Sequence, residues 1–116
     1  MNKIAIVILL LSAFAWAGSD PIPAEYTINI HVNSSRIFTI CGNSNCNVQQ
    51  QLNVVIDGRK YELESYIHND AVLALGDYKA KLVKDEHKTT YESSQTYEFL
   101  FSDKKVRKFR VVGQTE

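Results

Sequence analysis

The sequence predicts an all-β fold: a small antiparallel sandwich or partly open barrel of about seven strands, with at most one short helix. Three observations predict it. Apolar and polar residues alternate with a period of two along several runs after residue 24. Clusters of Gly, Asn, Ser and Asp separate these runs at regular spacing. The chain shows neither the strand–helix–strand rhythm of a parallel sheet nor an internal repeat.

The first 17 residues are typical of a secretory signal peptide. Lys3 supplies a basic start, the apolar run Ile4–Trp16 follows, and Ala15–Ala17 offers a small-x-small cleavage pattern. The run is shorter than the ~20 residues that span a bilayer. We therefore expect cleavage after this pattern, no membrane span in the mature chain, and a secreted or periplasmic protein. An extended leader over residues 18–24 and a single β-domain over residues 25–116 would remain.

Three strands are predicted before the first strong hairpin signal. The alternation in Glu25–Asn33 favours a half-buried strand, Ser34-Ser35 a turn, and Arg36–Cys41 a second strand. Val48–Ile56 forms the third. Its inward positions are apolar except Gln50, which we expect at a frayed strand start or bonded to backbone, because a buried unpaired amide is costly. The inward residues of the first strand would be Tyr26, Ile28, Ile30 and Val32.

The stretch Gln51–Glu64 predicts a hairpin and its register together. Asp57-Gly58 lies between two alternating runs and favours a type I′ turn, in which both central residues have φ > 0. A two-residue loop pairs Val54 with Tyr61 and leaves one face of the hairpin apolar. That face would comprise Leu52, Val54, Ile56, Tyr61 and Leu63.

The next segment contains the only candidate helix. Asn69-Asp70 can cap it, Ala71–Leu75 is apolar, and Gly76 suits a left-handed C-terminal position. One or two turns are unstable alone, so this segment either packs as a helix on the core or plugs it as a non-helical loop. A strand then begins at Gly76, with Tyr78, Ala80 and Leu82 inward, and a charged turn is expected over Asp85–Thr90.

The last two strands, Tyr91–Phe101 and Val106–Val112, form a second predicted hairpin. A three-residue loop over Asp103–Lys105 would keep one face apolar, which a two-residue loop would not. It would set Phe99 opposite Phe109, Tyr97 opposite Val111 and Glu98 opposite Arg110.

Cys41 and Cys46 are the only cysteines, and four residues separate them. In an exported protein, a nearby pair of this kind favours a disulfide. A zinc site is an alternative, but it needs four ligands, and His31, His68 and His87 are scattered. A redox-active pair is a further alternative, although the C-x-x-C spacing is absent.

Charge gives one candidate binding surface. The chain carries 13 basic and 13 acidic residues, so net charge offers no reason to expect nucleic acid or an anionic membrane as partner. Locally, five of the seven residues of Lys104–Arg110 are basic, but their side chains divide between the two faces of the strand, which favours a solvated edge strand protected by its charge. The alternative is a patch that contacts phosphate, acidic glycan or lipid headgroups. The candidate binding residues are Lys104, Lys105, Lys108 and Arg110, with Arg107 turned toward the core near its rim.

No catalytic residue, metal ligand or cofactor is assigned from the sequence. Glu62 and Glu64 share an outer face and could act as acid and base, but both are expected to be exposed beside Lys60. The cluster Asp85-Glu86-His87 lies on a predicted turn, where consecutive side chains diverge. The sequence contains no G-x-S-x-G nucleophile motif.

Three stretches carry a family resemblance: VVIDGRKYELES, LALGDYKAKLVKDEHKTTYE and QTYEFLFSDKKVRKF. They resemble a group of small, signal-peptide-bearing proteins of acidobacterial type, over about residues 26–112. In that pattern a Cys pair also precedes the Asp-Gly hairpin. The last hairpin there often carries Asp-Gly, where this chain has Asp103-Lys104. The resemblance implies secretion and a compact domain, and it brings no activity, ligand or catalytic residue.

These observations favour a secreted or periplasmic non-catalytic binding or structural module, with an extracytoplasmic protein or glycan as partner. One alternative is a small extracytoplasmic hydrolase that uses Glu62 and Glu64, which a polar pocket with a shifted acid would favour. The other is an enzyme inhibitor that presents the Cys41–Cys46 loop, which a rigid projecting loop would favour.

Overall fold

The computed structural model describes residues 20–66 and 71–116. The predicted signal peptide, His68 and the predicted cap Asn69-Asp70 lie outside these described residues. The described part of the predicted leader enters a 3-10 turn at Pro23–Glu25.

The described residues form six strands, each antiparallel to its neighbours, which confirms the all-β class. The strands are β1 (Ile28–Cys41), β2 (Cys46–Ile56), β3 (Arg59–Tyr66), β4 (Gly76–His87), β5 (Ser93–Leu100) and β6 (Val106–Thr115). Their order around the sheet is β1-β2-β3-β6-β5-β4, and β4 pairs back onto β1, so the sheet closes into a barrel. The barrel interior holds one apolar cluster: Ile30, Val32, Leu52, Val54, Ile56, Leu63, Ala80, Tyr97, Phe99 and Phe109.

The hairpin between β2 and β3 confirms the prediction from Asp57-Gly58. Asp57 has φ 51° and Gly58 has φ 76°, and Val54 pairs with Tyr61 across the turn. The predicted apolar face is buried apart from Tyr61, which is half-buried.

The predicted turn at Ser34-Ser35 is wrong, and this is why six strands replace seven. β1 continues through both serines, with a bulge between Val32 and Ser34 that moves the inward face by one position. Neighbouring side chains on β2 bond to both hydroxyls: Asn53 Nδ2 donates to Ser34 Oγ, and Gln50 Nε2 donates to Ser35 Oγ. Serine therefore stabilises strand pairing here, where its composition alone suggested a turn.

Tyr26 is buried, as predicted, but against the outer face of the barrel. Its hydroxyl donates to Glu98 Oε2 at 2.5 Å, and Lys81 Nζ lies 4.9 Å from its ring centroid. Lys81 and Glu98 are cross-strand partners on the face opposite to Phe99. Tyr26 therefore holds the segment before β1 onto the outer side of β4 and β5.

Residues 101–105 connect β5 to β6, and Phe101 N donates to Lys105 O at 2.9 Å, so the turn between these two residues has three residues, as predicted, but comprises 102–104. Lys104 takes φ 68°, the left-handed position that ends such a loop, and its N–H donates to Phe101 O at 3.0 Å. Placing the loop one residue earlier moves the register by two, so Tyr97 pairs with Phe109 and Phe99 with Arg107. Glu98 pairs with Lys108, so the pairings predicted for Phe99, Tyr97 and Glu98 are all wrong, although the inward face is the predicted one.

Two boundaries in the second half of the chain also differ from the prediction. β4 runs to His87, so the connection to β5 comprises residues 88–92 instead of the predicted turn at Asp85–Thr90. In the described part of the candidate helix, residues 71–75 form no helix. Leu73 packs against the core, and Tyr78 Oη donates to Ala74 O at 2.6 Å, in keeping with the alternative of a non-helical plug.

Candidate functional site

A groove opens where β3 and β6 part. Their ladder pairs Glu64 with Arg110 and stops there, although β3 continues to Tyr66 and β6 begins at Val106. The groove has a volume of about 530 Å³. Its lining residues are Gln49, Glu64, Ser65, Thr96, Glu98, Val106, Arg107, Lys108 and Arg110.

Arg107 is held inside this groove by contacts with three other elements. As Phe99's cross-strand partner, it belongs to the inward face of β6, and it is half-buried. Its Nη1 donates to Gln50 Oε1 at 3.0 Å, and its guanidinium carbon lies 5.7 Å from the Phe101 ring centroid. Gln50 has no exposed surface, and its Nε2 donates in turn to Ser35 Oγ at 3.1 Å.

The hydrogen-bond partners of the Gln50 amide differ from those expected from the sequence. We expected its amide at a frayed strand start or bonded to backbone, whereas two side chains from β1 and β6 bond to it in the interior. The position of Arg107 toward the core is confirmed. Its role as the deepest cation of the groove follows from the β5–β6 register and was missed in the sequence.

The acidic side chains of the groove already have basic or hydroxyl partners. Glu64 Oε2 lies 3.8 Å from Arg110 Nη2. Glu98 Oε2 accepts from Tyr26 Oη and lies 3.7 Å from Lys81 Nζ. The ion pairs within residues 20–66 and 71–116 include neither Arg107 nor Lys108. Lys108 stands directly across the β5–β6 ladder from Glu98, but neither it nor Arg107 forms an ion pair in the described structure.

The four basic residues predicted from the sequence divide into two groups. Lys108 and Arg110 are exposed and line the groove. Lys104 lies in the β5–β6 loop, and Lys105 follows it, with its N–H donating to Asp103 Oδ1 at 3.1 Å. Both are exposed, and neither lines the groove. The basic run is thus split by the strand start at Val106.

The other titratable candidates have local partners on the outer surface. Glu62 Oε2 accepts from Gln51 Nε2 at 3.3 Å. His87 Nε2 lies 3.1 Å from Asp85 Oδ1, and His31 Nδ1 lies 2.8 Å from Asp77 Oδ1. In the described part of the chain, no three His, Cys, Asp or Glu residues come together as metal ligands could.

The cysteine pair closes the tip of the β1–β2 hairpin. Cys41 and Cys46 are cross-strand partners whose sulfur atoms lie 2.08 Å apart, at disulfide distance, which confirms the predicted pairing. Gly42 N donates to Asn45 O at 2.8 Å across the enclosed loop. Residues 42–45 are all exposed, so this end of the hairpin projects into solvent.

The described residues contain no helix of the length and hydropathy needed to cross a membrane. Comparisons of the chain with protein-family models, with curated proteins and with solved structures found no match. The resemblance to small secreted proteins of acidobacterial type therefore stays a prediction, and function has to be inferred from the groove and its chemistry.

Proposed function

We propose that the mature domain is a non-catalytic binding module that works outside the cytoplasm, in the periplasm or after secretion. Its binding site is the groove between β3 and β6, and its partner is an acidic extracytoplasmic protein or glycan. The disulfide between Cys41 and Cys46 supports export, because such bonds persist in oxidising compartments.

One observation carries this proposal: Arg107, on the inward face of β6, and Lys108, on its outward face, both line a groove whose two carboxylates have other basic partners. Water must hydrate these cations when the groove is empty of ligand. An anionic ligand replaces that water with charge-assisted hydrogen bonds, which are roughly twice as strong as neutral ones. Glu64 lies near Arg110 and Glu98 near Lys81, so each carboxylate of the groove has a basic partner other than Arg107 and Lys108.

The partners of the reactive side chains favour binding over catalysis. The two cysteines are joined to each other, and both carboxylates of the groove have cationic partners. Each of the two described histidines lies beside an exposed aspartate on the outer surface. These contacts leave the groove suited to recognising charge and shape.

The experiment that tests this proposal is an NMR titration of the 15N-labelled mature domain with acidic oligosaccharides and acidic peptides at low and high salt. We expect saturable shifts at the groove, weakened by salt and by Lys108→Glu, since exposed charges are screened. Lys60→Glu is the matched control, because Lys60 is exposed and pairs with Thr115 at the far end of β6. Absence of saturable shifts would overturn the proposal. Hydrolysis abolished by Glu62→Gln or Glu64→Gln would replace it with an enzyme.

The projecting loop favours a second candidate, an inhibitor that inserts residues 42–45 into the site of another enzyme. The disulfide and the hydrogen bond from Gly42 N to Asn45 O restrict the loop and lower the entropy lost on binding. Loss of inhibition in Asn43→Ala/Ser44→Ala, with Lys108→Glu unaffected, would establish this function. Equal inhibition by both variants and the wild type would exclude it.

A further inference from the structure

We infer that the groove selects ligands by a carboxylate group, and that Arg107 is the residue that binds and orients it. This inference rests on the proposed function, since it names the chemistry of the ligand at the same site. Three features of the structure carry it: the fixed position of Arg107, the donors it leaves open, and the balance of charge around it.

The guanidinium of Arg107 is positioned before any ligand arrives. The buried amide of Gln50 accepts from Nη1 at 3.0 Å, and the ring of Phe101 lies beside the guanidinium carbon at 5.7 Å. Gln50 is itself fixed by its bond to Ser35 Oγ. A side chain that is already ordered loses little rotamer entropy on binding, which favours affinity for a small group.

Most of the hydrogen-bonding capacity of Arg107 is open. A guanidinium has five N–H donors in a planar fork, and the described residues provide one of them with a protein acceptor, Gln50 Oε1. Two parallel N–H donors match the two oxygens of a carboxylate, which gives direction as well as energy. Lysine at this position could supply charge but no fork.

The charge around Arg107 favours a single negative charge. Three basic residues, Arg107, Lys108 and Arg110, and two acidic residues, Glu64 and Glu98, line the groove. A carboxylate would balance the remaining positive charge. A phosphate dianion would exceed that balance in a groove that Glu64 and Glu98 also line, and like charges brought together are unfavourable.

The lining residues around the fork give a second level of contact. Lys108 is exposed and can attract the ligand from a distance, whereas Val106 and Thr96 offer apolar and hydroxyl surface to the uncharged part. A volume of about 530 Å³ exceeds what one carboxylate needs. The carboxylate is therefore one end of a larger ligand, such as a uronic acid unit or an acidic side chain.

The test is a titration of the 15N-labelled mature domain with four probes at equal ionic strength: acetate, galacturonate, inorganic phosphate and sulfate. The Arg107 Nε–H and the Gln50 side-chain amide report on the fork and on its support. We expect saturable shifts of both signals with acetate and galacturonate. Phosphate should bind about tenfold more weakly than acetate, which corresponds to ~1.4 kcal/mol. Phosphate binding as tight as acetate, or shifts confined to other residues, would overturn the inference.

Variants distinguish the effect of the planar fork of the Arg107 guanidinium from the effect of its positive charge. Arg107→Lys keeps the charge and should weaken galacturonate binding by about tenfold, because the bidentate contact is lost. Arg59→Lys is the matched control at the far end of β3, beside the Asp57-Gly58 turn, and should bind like the wild type. If Arg107→Lys fails to fold, the wild-type titration still decides, since it needs no variant.

The same measurements distinguish failure of this inference from failure of the proposed function. Arg107→Lys that binds galacturonate like the wild type, with Lys108→Glu still weakening acidic oligosaccharides, overturns the carboxylate fork and leaves the binding module standing. Shifts absent with every probe and with every oligomer overturn both.

Discussion

Arg107 Nη1 donates a hydrogen bond to Gln50 Oε1 at 3.0 Å, and this bond joins β6 to β2 across the opening between β3 and β6. The two residues are 57 positions apart in the chain. The contact closes part of the barrel end that the β3–β6 ladder leaves open beyond Glu64 and Arg110. It therefore belongs both to the stability of the barrel and to the candidate site.

Gln50→Leu should destabilise the fold. The change removes the acceptor of Arg107 and the donor to Ser35, and leaves polar groups of the interior without partners, a loss of about 1–3 kcal/mol. Urea unfolding followed by tyrosine fluorescence measures it. Gln114→Leu is the control, since Gln114 is exposed near the end of β6 and should leave the midpoint unchanged. Equal midpoints for both variants would contradict this account of the buried amide.

Gly58→Val should damage folding far more than Lys60→Ala. Gly58 has φ 76°, and a β-branched residue there costs on the order of 1–3 kcal/mol of backbone strain. A Cβ at Gly58 meets nothing within 4 Å, so the loss isolates strain from steric contact. Lys60 is exposed, and its truncation changes solvated surface. Thermal melts compare the two; similar melting temperatures would argue against the type I′ turn.

Tyr26 predicts a loss of stability at alkaline pH. Burial, followed by the hydrogen bond to Glu98, raises the pKa of Tyr26 from 10.0 to about 12. Because the folded pKa lies above the unfolded one, this stabilisation is fully present below pH 10 and is lost as the pH rises toward 12. We expect Tyr26→Phe to flatten the fall in unfolding free energy between these limits, measured by urea titrations at stepped pH. Burial also raises the pKa of Tyr78 and Tyr97, so a residual slope remains.

Much of the fold could be predicted because the alternation of apolar and polar residues identifies which face of each strand is buried. Ile30, Val54 and Phe99 were each placed inward from their neighbours alone, and all three are buried. Alternation has a period of two, so it cannot distinguish registers that differ by two residues. The conformation of Lys104 decides that register, and lysine gives no sequence signal for a positive φ.

The site was only partly predictable, because its geometry depends on where β3 and β6 stop pairing. The basic run identified Lys108 and Arg110, but charge density does not show that β3 stops pairing with β6 at Glu64. The bulge before Ser34 likewise left no pattern that separates a bent strand from a turn. The depth of Arg107 follows only once the β5–β6 register is known.

The disulfide should stabilise the domain without being needed for its fold. Cys41 and Cys46 close a short loop at the hairpin tip, and such closure contributes about 2 kcal/mol in the chain-entropy model. Cys41→Ala/Cys46→Ala should therefore unfold cooperatively at lower urea, with the barrel pairing of β1 and β2 preserved. The mass of the wild type, measured by mass spectrometry before and after reduction, should increase by that of two hydrogens. Complete unfolding of the variant, or free thiols in the exported protein, would contradict the prediction.

Lys104→Gly should stabilise the domain, in contrast to Lys105→Gly. Lys104 has φ 68°, where a side chain is strained, whereas Lys105 is not among the described non-glycine residues with positive φ. Glycine relieves the strain at the first position but adds freedom to the unfolded chain at both. We expect a gain of up to about 1 kcal/mol for Lys104→Gly and a loss of similar size for Lys105→Gly.

Lys104→Gly and Lys105→Gly also test whether the ligand contacts only those basic residues that line the groove. Both changes remove one exposed positive charge close to the groove, and neither residue lines it. Urea unfolding should separate the two variants in opposite directions, while titration with galacturonate should give both the affinity of the wild type. A loss of affinity in Lys104→Gly as large as in Lys108→Gln would show that the ligand reaches the loop. Lower stability in Lys104→Gly than in Lys105→Gly would show that the left-handed position lies elsewhere in the β5–β6 loop.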